Sequence, residues 1–351
     1  MATAEKIRSL LFFILKFVLA LSVVWILFSR TRREVIDCFR SFDYRYLIPV
    51  FFFSFLPVFF TALRWRSLAD VLKISLGKAE SFSLTMQGNF FSLVIPGGAI
   101  GGDVVKMAVV SRRTRSGSKM EGVFSVFMDR VAGMLALFLL TLLLLIPESA
   151  LLMKLRIGTL PCEPAVNMLL IAGLVLLCLA GIGAGCLIFF HQYFFRLPGI
   201  SFLVRKCEEH SKGAVSRMTA AADLYAAHWK KLLCQVLLTV FFIHLAAVLP
   251  FFFLLAGLGV QIPVMCVITA VTIGNIAGLI PLFPGGIGIR DLVTVTILCA
   301  GSLTAADAKT AQLMATAVML AVNLTGGLFF IFDPGRKKQN EQHKQEAKNE
   351  Q

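Results

Sequence analysis

Charge is scarce in this chain. Of its 351 residues only 15% are Asp, Glu, Lys or Arg, against 58% apolar and a mean hydropathy of +0.82, a balance that excludes an ordinary soluble domain. The cysteines are scattered, with Cys178, Cys186, Cys234, Cys266 and Cys299 in apolar segments and no C-x-x-C pair. They read as small buried hydrophobes, and neither a disulfide framework nor a zinc site is implied. His191, His210, His228 and His244 lack metal-ligand spacing, and His244 reads as a hydrogen-bonded core residue. No G-x-x-x-x-G-K-[ST] motif occurs, so any transport is expected to be downhill or ion-coupled. No basic region is interleaved with aromatics, which argues against nucleic acid, and no cofactor is expected.

What fills the chain instead is long apolar runs. About 30 Å of hydrocarbon takes roughly 20 helical residues. Leu10–Phe28 is broken only by Lys16, Leu47–Leu63 is uncharged, and Gly122–Ile146 holds the pair Asp129 and Arg130. Val166–Phe190, Leu232–Val260, Ile262–Ile289 and Ala311–Phe332 carry no Asp, Glu, Lys or Arg, and Leu292–Ala306 reads as the end of a helix begun near Ile287. The expected fold is an all-α polytopic membrane protein, with about 7–8 transmembrane helices in one domain over residues 1–333. The first run follows Lys6 and Arg8 and shows no A-x-A site, so it reads as an uncleaved signal anchor. The polar tail, residues 334–351, is expected to be disordered.

One short motif interrupts the apolar runs twice. Pro96-Gly97-Gly98 precedes Asp103, and Pro284-Gly285-Gly286 precedes Asp291, so both copies read P-G-G-x4-D, with Asn89 and Asn275 upstream. Proline and paired glycines break helices, and broken backbone at membrane depth is tolerated only where protein or a water-filled cavity satisfies it. A helix stopping at mid-membrane leaves free amides and a positive dipole end, which together make an anion site. Two such units as pseudo-repeats, spanning residues 87–106 and 275–291, fit a transporter with discontinuous helices. The simpler alternative is that Gly and Pro only permit close helix packing.

Charges inside the runs sharpen this reading. Asp129 and Arg130 lie two turns into a span and point about 100° apart, so each needs another partner. Asp103 and Asp291 are candidates for Arg130, and Lys106 or Arg290 for Asp129. An ordinary helix-locking ion pair is the plain alternative; a cationic lining that meets phosphate is the functional one, with Arg130 best suited by its fork. Arg64-Trp65-Arg66 reads as an interfacial anchor at a span end. The net charge of +14 gathers in loops beside spans, favouring anionic lipid headgroups as partners.

Topology is less determined. A re-entrant hairpin over residues 81–105 puts Arg64, Arg66, Lys73 and Lys78 on one side with Lys106, Arg112, Arg113, Arg115 and Lys119. The loop Arg196–Lys231 and tail residues Arg336, Lys337 and Lys338 join them, making that side and the C-terminus cytoplasmic. Arg30, Arg32, Arg33, Arg40 and Arg45 then fall outside; a spanning segment moves them inside but moves the Arg64–Lys78 loop out. Ile262–Ile289 is equally open to a span ending at Pro281 or a half-helix turning at Pro284.

Taken together, Gln87-Gly88-Asn89, the run from Ile95 through Pro96-Gly97-Gly98 to Gly101-Gly102-Asp103 and Lys106, then Met128-Asp129-Arg130, and Asn275 through Pro284-Gly285-Gly286 to Arg290-Asp291 resemble the flippase-like family of the lysylphosphatidylglycerol synthase membrane domain. Arg64-Trp65 also fits, and the similarity runs over about residues 8–333. Two positions depart from the family pattern: Asp291 where Glu is usual, and Lys106 where Arg is frequent. The resemblance implies a role with anionic phospholipid. With about 19 residues after the last span, no aminoacyl-transfer domain is expected here. The reading is a protein of the inner (plasma) membrane that binds or moves an anionic lipid or lipid-linked precursor, with a partner enzyme of lipid or envelope synthesis possible. Its site would use Asn89, Pro96, Gly97, Gly98, Asp103, Lys106, Asp129, Arg130, Asn275, Pro284, Gly285, Gly286, Arg290 and Asp291. Two alternatives stand beside it: an intramembrane transferase with Asp103 or Asp129 as base, and a non-transporting scaffold for a lipid-modifying enzyme.

Overall fold

The computed structural model describes residues 32–95, 99–113, 119–157, 160–161, 163–189, 214–279 and 287–332. The expected first span Leu10–Phe28, both Pro-Gly-Gly triplets and the tail after Phe332 lie outside the described residues. The rest is helical, apart from a two-residue antiparallel pairing of Arg156–Ile157 with Leu160–Pro161.

A short amphipathic helix, α1 (Arg32–Ser41), leads into α2 (Leu47–Val71). Then come α3 (Lys78–Val94), α4 (Ala99–Arg113), α5 (Lys119–Leu145), the one-turn α6 (Ser149–Leu152) and α7 (Pro164–Phe189). After α8 (Ala214–Ala227), α9 (Trp229–Thr239) runs through a π-helical turn at Val240–Leu245 and a 3-10 turn into α10 (Leu249–Gly257). The chain closes with α11 (Val264–Ala277), α12 (Ile289–Ala300) and α13 (Ala305–Ile331). Among the described residues, five helical stretches are long and apolar enough to cross a membrane: Tyr44–Val71, Lys119–Leu145, Pro164–Leu187, Trp229–Gly257 and Ala305–Ile331. Their outward faces are apolar, as on α7, where Leu169 is 73% and Leu176 69% exposed; such faces suit lipid and not water.

One boundary is open in the sequence and one differs from its expectation. Ile262–Ile289 does not form one long helix, because α11 has only 14 residues, about 21 Å of helix at 1.5 Å per residue. Leu292–Ala306 does not complete one helix either: α12 ends at Ala300, Gly301 turns the chain, and Thr304 caps α13 by accepting from the Asp307 amide at 3.1 Å. A β-type capping residue and a glycine stop outweigh an unbroken apolar composition.

The two motif segments are flanked alike, the first by α3 and α4 and the second by α11 and α12. Ile95 leaves α3 in an extended conformation (φ −88°, ψ 133°), as expected of a residue before proline. α3 and α4 then lie back to back, so close at Gly88 and Gly102 that a Cβ on Gly102 would strike the Gly88 carbonyl. α11 and α12 repeat the arrangement, Gly274 facing Thr294 and Gly278 facing Arg290. α12 follows Gly288, whose φ of +96° favours glycine. α3, with 17 residues, is about 25 Å long, below the hydrocarbon thickness of about 30 Å.

Two apolar cores hold these hairpins. One gathers Trp65, Leu84, Phe124, Met128 and Tyr225 around α2, α3, α5 and α8; the other gathers Val50, Leu254, Ala270, Leu298 and Met314 around α2 and α10–α13. α13 touches both hairpins. Gln312 and Thr316 in its first half bond α12, while Gly326 in its second half lies on the Met86 carbonyl of α3. Gly102→Val and Gly326→Val should therefore each lower the unfolding midpoint in detergent by several degrees, from an overpacking cost of about 1–3 kcal/mol or more. Gly173→Ala, where nothing lies within 4 Å of the new methyl, should leave the midpoint unchanged. Equal midpoints for all three would refute the close packing.

Candidate functional site

The first hairpin carries a charged cluster in an apolar surround. Asp129, on α5 and 3% exposed, accepts from Arg64 Nε at 2.8 Å, and Lys106 Nζ lies 3.7 Å from its second oxygen. A carboxylate this deep is tolerable only when paired and hydrogen-bonded. Arg64 is 7% exposed and donates a further bond to Thr239 Oγ1 at 3.2 Å, at the start of the π-helical turn. Gly133 makes room for it, since a Cβ there would lie 3.2 Å from both terminal guanidinium nitrogens. The same turn carries His244, whose Nε2 is 3.1 Å from the Gly133 carbonyl oxygen. Lys106 sits over the Trp65 ring at 4.1 Å from its centroid, a cation–π contact strengthened by desolvation. Trp65 itself donates to Ser125 Oγ at 3.3 Å.

Arg130, one residue on from Asp129, points to a different face and takes a different partner. Its guanidinium forks onto Asp103 of α4, Nε to Oδ2 at 2.5 Å and Nη2 to Oδ1 at 2.9 Å. The Arg130 side chain is 48% exposed while Asp103 is nearly buried. Of the partners open to it in sequence, Asp103 and not Asp291 is the one that binds it, and Asp129 takes Lys106 together with Arg64. The five side chains Arg64, Lys106, Arg130, Asp103 and Asp129 hold three cations against two carboxylates.

The second hairpin carries a closed and neutral counterpart. Asp291 Oδ1 accepts from Gln312 Nε2 at 2.7 Å, Thr316 Oγ1 at 3.1 Å and Arg290 Nη2 at 3.0 Å, and Oδ2 accepts from the Gly288 amide at 3.1 Å. That last bond caps α12. Arg290 pairs with Asp291, its chain neighbour, and not with Asp129. Beside this pair, α2, α10, α11, α12 and α13 enclose a cavity of about 240 Å³ whose polar lining includes Asn275, Arg290, Gln312 and Asn323.

The structure thus brings Asp103, Lys106, Asp129 and Arg130 into one cluster, and Asn275 and Arg290 to one cavity with Asp291 beside it. Asn89 is half-buried on α3, and its one described bond is a backbone one, its carbonyl accepting from Ser92 Oγ at 2.6 Å. Pro96, Gly97, Gly98, Pro284, Gly285 and Gly286 lie outside the described residues. Arg64-Trp65 requires a correction: it is no interfacial anchor, because α2 continues to Val71 and buries both side chains. The charge that looked like a helix end is the main partner of Asp129. Lys106 likewise leaves the set of loop cations that argued for orientation. Gln312, Thr316 and Asn323 had no signal but their polarity within an apolar run.

Removing one member of the buried pair should be far worse than removing both. Asp129→Leu strands Arg64 and Lys106, a loss of about 3–5 kcal/mol expected for a broken buried pair. The double variant Arg64→Leu with Asp129→Leu should recover part of the detergent midpoint lost by Asp129→Leu alone. Additive losses in that double-mutant cycle would show that the two residues are not coupled.

The family model described as lysylphosphatidylglycerol synthase TM region matches residues 13–327 of the chain. No curated protein was found to match it. With nearly its whole length covered by that model, and with a multi-pass helical fold, the chain belongs to the lysylphosphatidylglycerol synthase TM-region family.

Proposed function

We propose that this membrane protein binds an anionic lipid, or a lipid-linked precursor, by its phosphate and moves it between leaflets. The observation that carries the reading is the half-exposed Arg130 fork on Asp103, backed by buried Lys106 and Asp129. A guanidinium in this geometry offers a phosphate the same bidentate face that it offers the carboxylate. A phosphodiester arriving at Arg130 brings the negative charge that would balance three cations against two carboxylates. In a low-dielectric surround that balance matters more than at a water-exposed surface.

The hairpins give the reading a place in the membrane. Both are interrupted by Pro-Gly-Gly, both have arms shorter than the bilayer core, and we read them as re-entrant elements with their breaks at depth. α4 then presents its N-terminal end, with its positive dipole, toward a passing headgroup. Asp103 holds Arg130 ready when no lipid is present and is displaced when a phosphate takes the fork. The family's link to a lipid enzyme is consistent with such a substrate.

The test is leaflet exchange of fluorescent anionic lipids in proteoliposomes. Arg130→Gln should slow exchange about tenfold or more, since a charge-assisted hydrogen bond contributes about 1.5–3 kcal/mol, while the unfolding midpoint in detergent stays near that of the wild type. Unimpaired exchange by Arg130→Gln would sink the assigned site. No exchange by the wild type across a panel of anionic headgroups would sink translocation itself.

A further inference from the structure

The cavity beside the second hairpin has a chemistry unlike that of the Arg130 cluster. Its only charged lining side chain among the described residues is Arg290, and that guanidinium is already neutralised by Asp291. Asp291 is already engaged, its Oδ1 accepting from Arg290, Gln312 and Thr316 and its Oδ2 from the Gly288 amide. The rest of the lining is an apolar wall that includes Pro57, Phe251 and Val271, with a few neutral hydrogen-bonding groups set into it. The Asn275 and Asn323 side chains line the cavity and make no hydrogen bond among the described residues. Gln312 is 2% exposed, its amide orientation is fixed by donation to Asp291, and its Oε1 is buried with no partner. Arg290 Nη1 meets only the sulfur of Met319, at 2.9 Å, and a thioether is a weak acceptor that an oxygen would replace readily.

We propose that this cavity is a second headgroup subsite, selective for an uncharged polyhydroxyl group such as a polyol or sugar carried on a lipid phosphate. A hydroxyl is both donor and acceptor, so it can meet the Asn275 and Asn323 amides and the Arg290 Nη1 donor. Primary amides such as Asn275 and Asn323 offer one acceptor and two donors each. The volume of about 240 Å³ is several times the roughly 30 Å³ share of one water, which suits a group of several heavy atoms. An aminoacylated headgroup does not fit: its ammonium would enter beside Arg290 and meet no free carboxylate. A second phosphate is also disfavoured, because the Arg290–Asp291 pair has no net charge to offer. The proposal rests on the lipid-binding reading above and adds which headgroup is chosen.

The experiment is competitive displacement of a fluorescent phosphatidylglycerol from the purified full chain in detergent. The competitors are phosphatidylinositol, phosphatidylethanol and lysylphosphatidylglycerol. Phosphatidylethanol has the same phosphodiester charge as phosphatidylinositol but no hydroxyls. Phosphatidylinositol should compete at least about fivefold better than phosphatidylethanol, the selectivity expected of one or two neutral hydrogen bonds, and lysylphosphatidylglycerol should compete worse than phosphatidylinositol. Asn275→Ala with Asn323→Ala should bring phosphatidylinositol down to the phosphatidylethanol level without changing phosphatidylethanol itself. Equal competition by the two in the wild type would overturn the subsite. So would stronger competition by lysylphosphatidylglycerol, or an unchanged preference in the double variant. Failure of the fluorescent lipid to bind at all is a different result and overturns the lipid reading underneath.

Discussion

The burial of Asp129 constrains everything around it. A carboxylate inside an apolar helix bundle must be met by cations, and those cations come from different parts of the chain: Arg64 from α2 and Lys106 from α4. Arg64 is in turn tied to Thr239 at the end of α9, and Lys106 to the face of Trp65. Four helices are therefore fixed in register by one charge. The glycines beside the network serve the same constraint, Gly133 leaving space for the Arg64 guanidinium and Gly88 for the Lys106 stem. Apolar packing around Met128 and Phe124 then keeps water from competing with the pairs.

The two hairpins share a plan but differ in charge. In the first, the carboxylate near the start of the returning helix is engaged by an arginine from another helix, and that arginine is half open to its surroundings. In the second, the carboxylate is engaged by its own neighbour Arg290 and by two side chains of α13, so its charge is met within the group. The repeated sequence motif thus yields one cationic and one neutral polar site. That division suits a ligand with a charged end and an uncharged end better than one with two like charges.

Much of the fold was legible because its physics is local. Long uncharged runs mark helices such as α7 and α10, and the extended Ile95 follows from the proline after it. Asp129 and Arg130 stood out in the sequence by being charged where charge is costly, and both take ion-pair partners from other helices. The misread elements were non-local. Arg64 resembled the end of a span, since nothing in the chain order says that α5 will bring a carboxylate beside it 65 positions later. Ile262–Ile289 is open in sequence to a span or a half-helix, and only the packing of α11 on α12 makes it a short arm. Gln312 and Asn323 were invisible for the opposite reason: single amides in a helix are common, and their meaning depends on a cavity that five segments build together.

The long last helix gives the molecule a mechanical property. α13 is a single 27-residue rod, gripped near one end by the Asp291 group and near the other by the tight seat of Gly326 on α3. A rod held at both ends cannot tilt at one without levering the other. If the first hairpin rocks to admit a headgroup, the strut carries that displacement some 20 Å or more, by the rise of about 1.5 Å per residue, to the walls of the second cavity. Filling of one site and the shape of the other are then linked through a stiff member and need no contact between the two ligand groups.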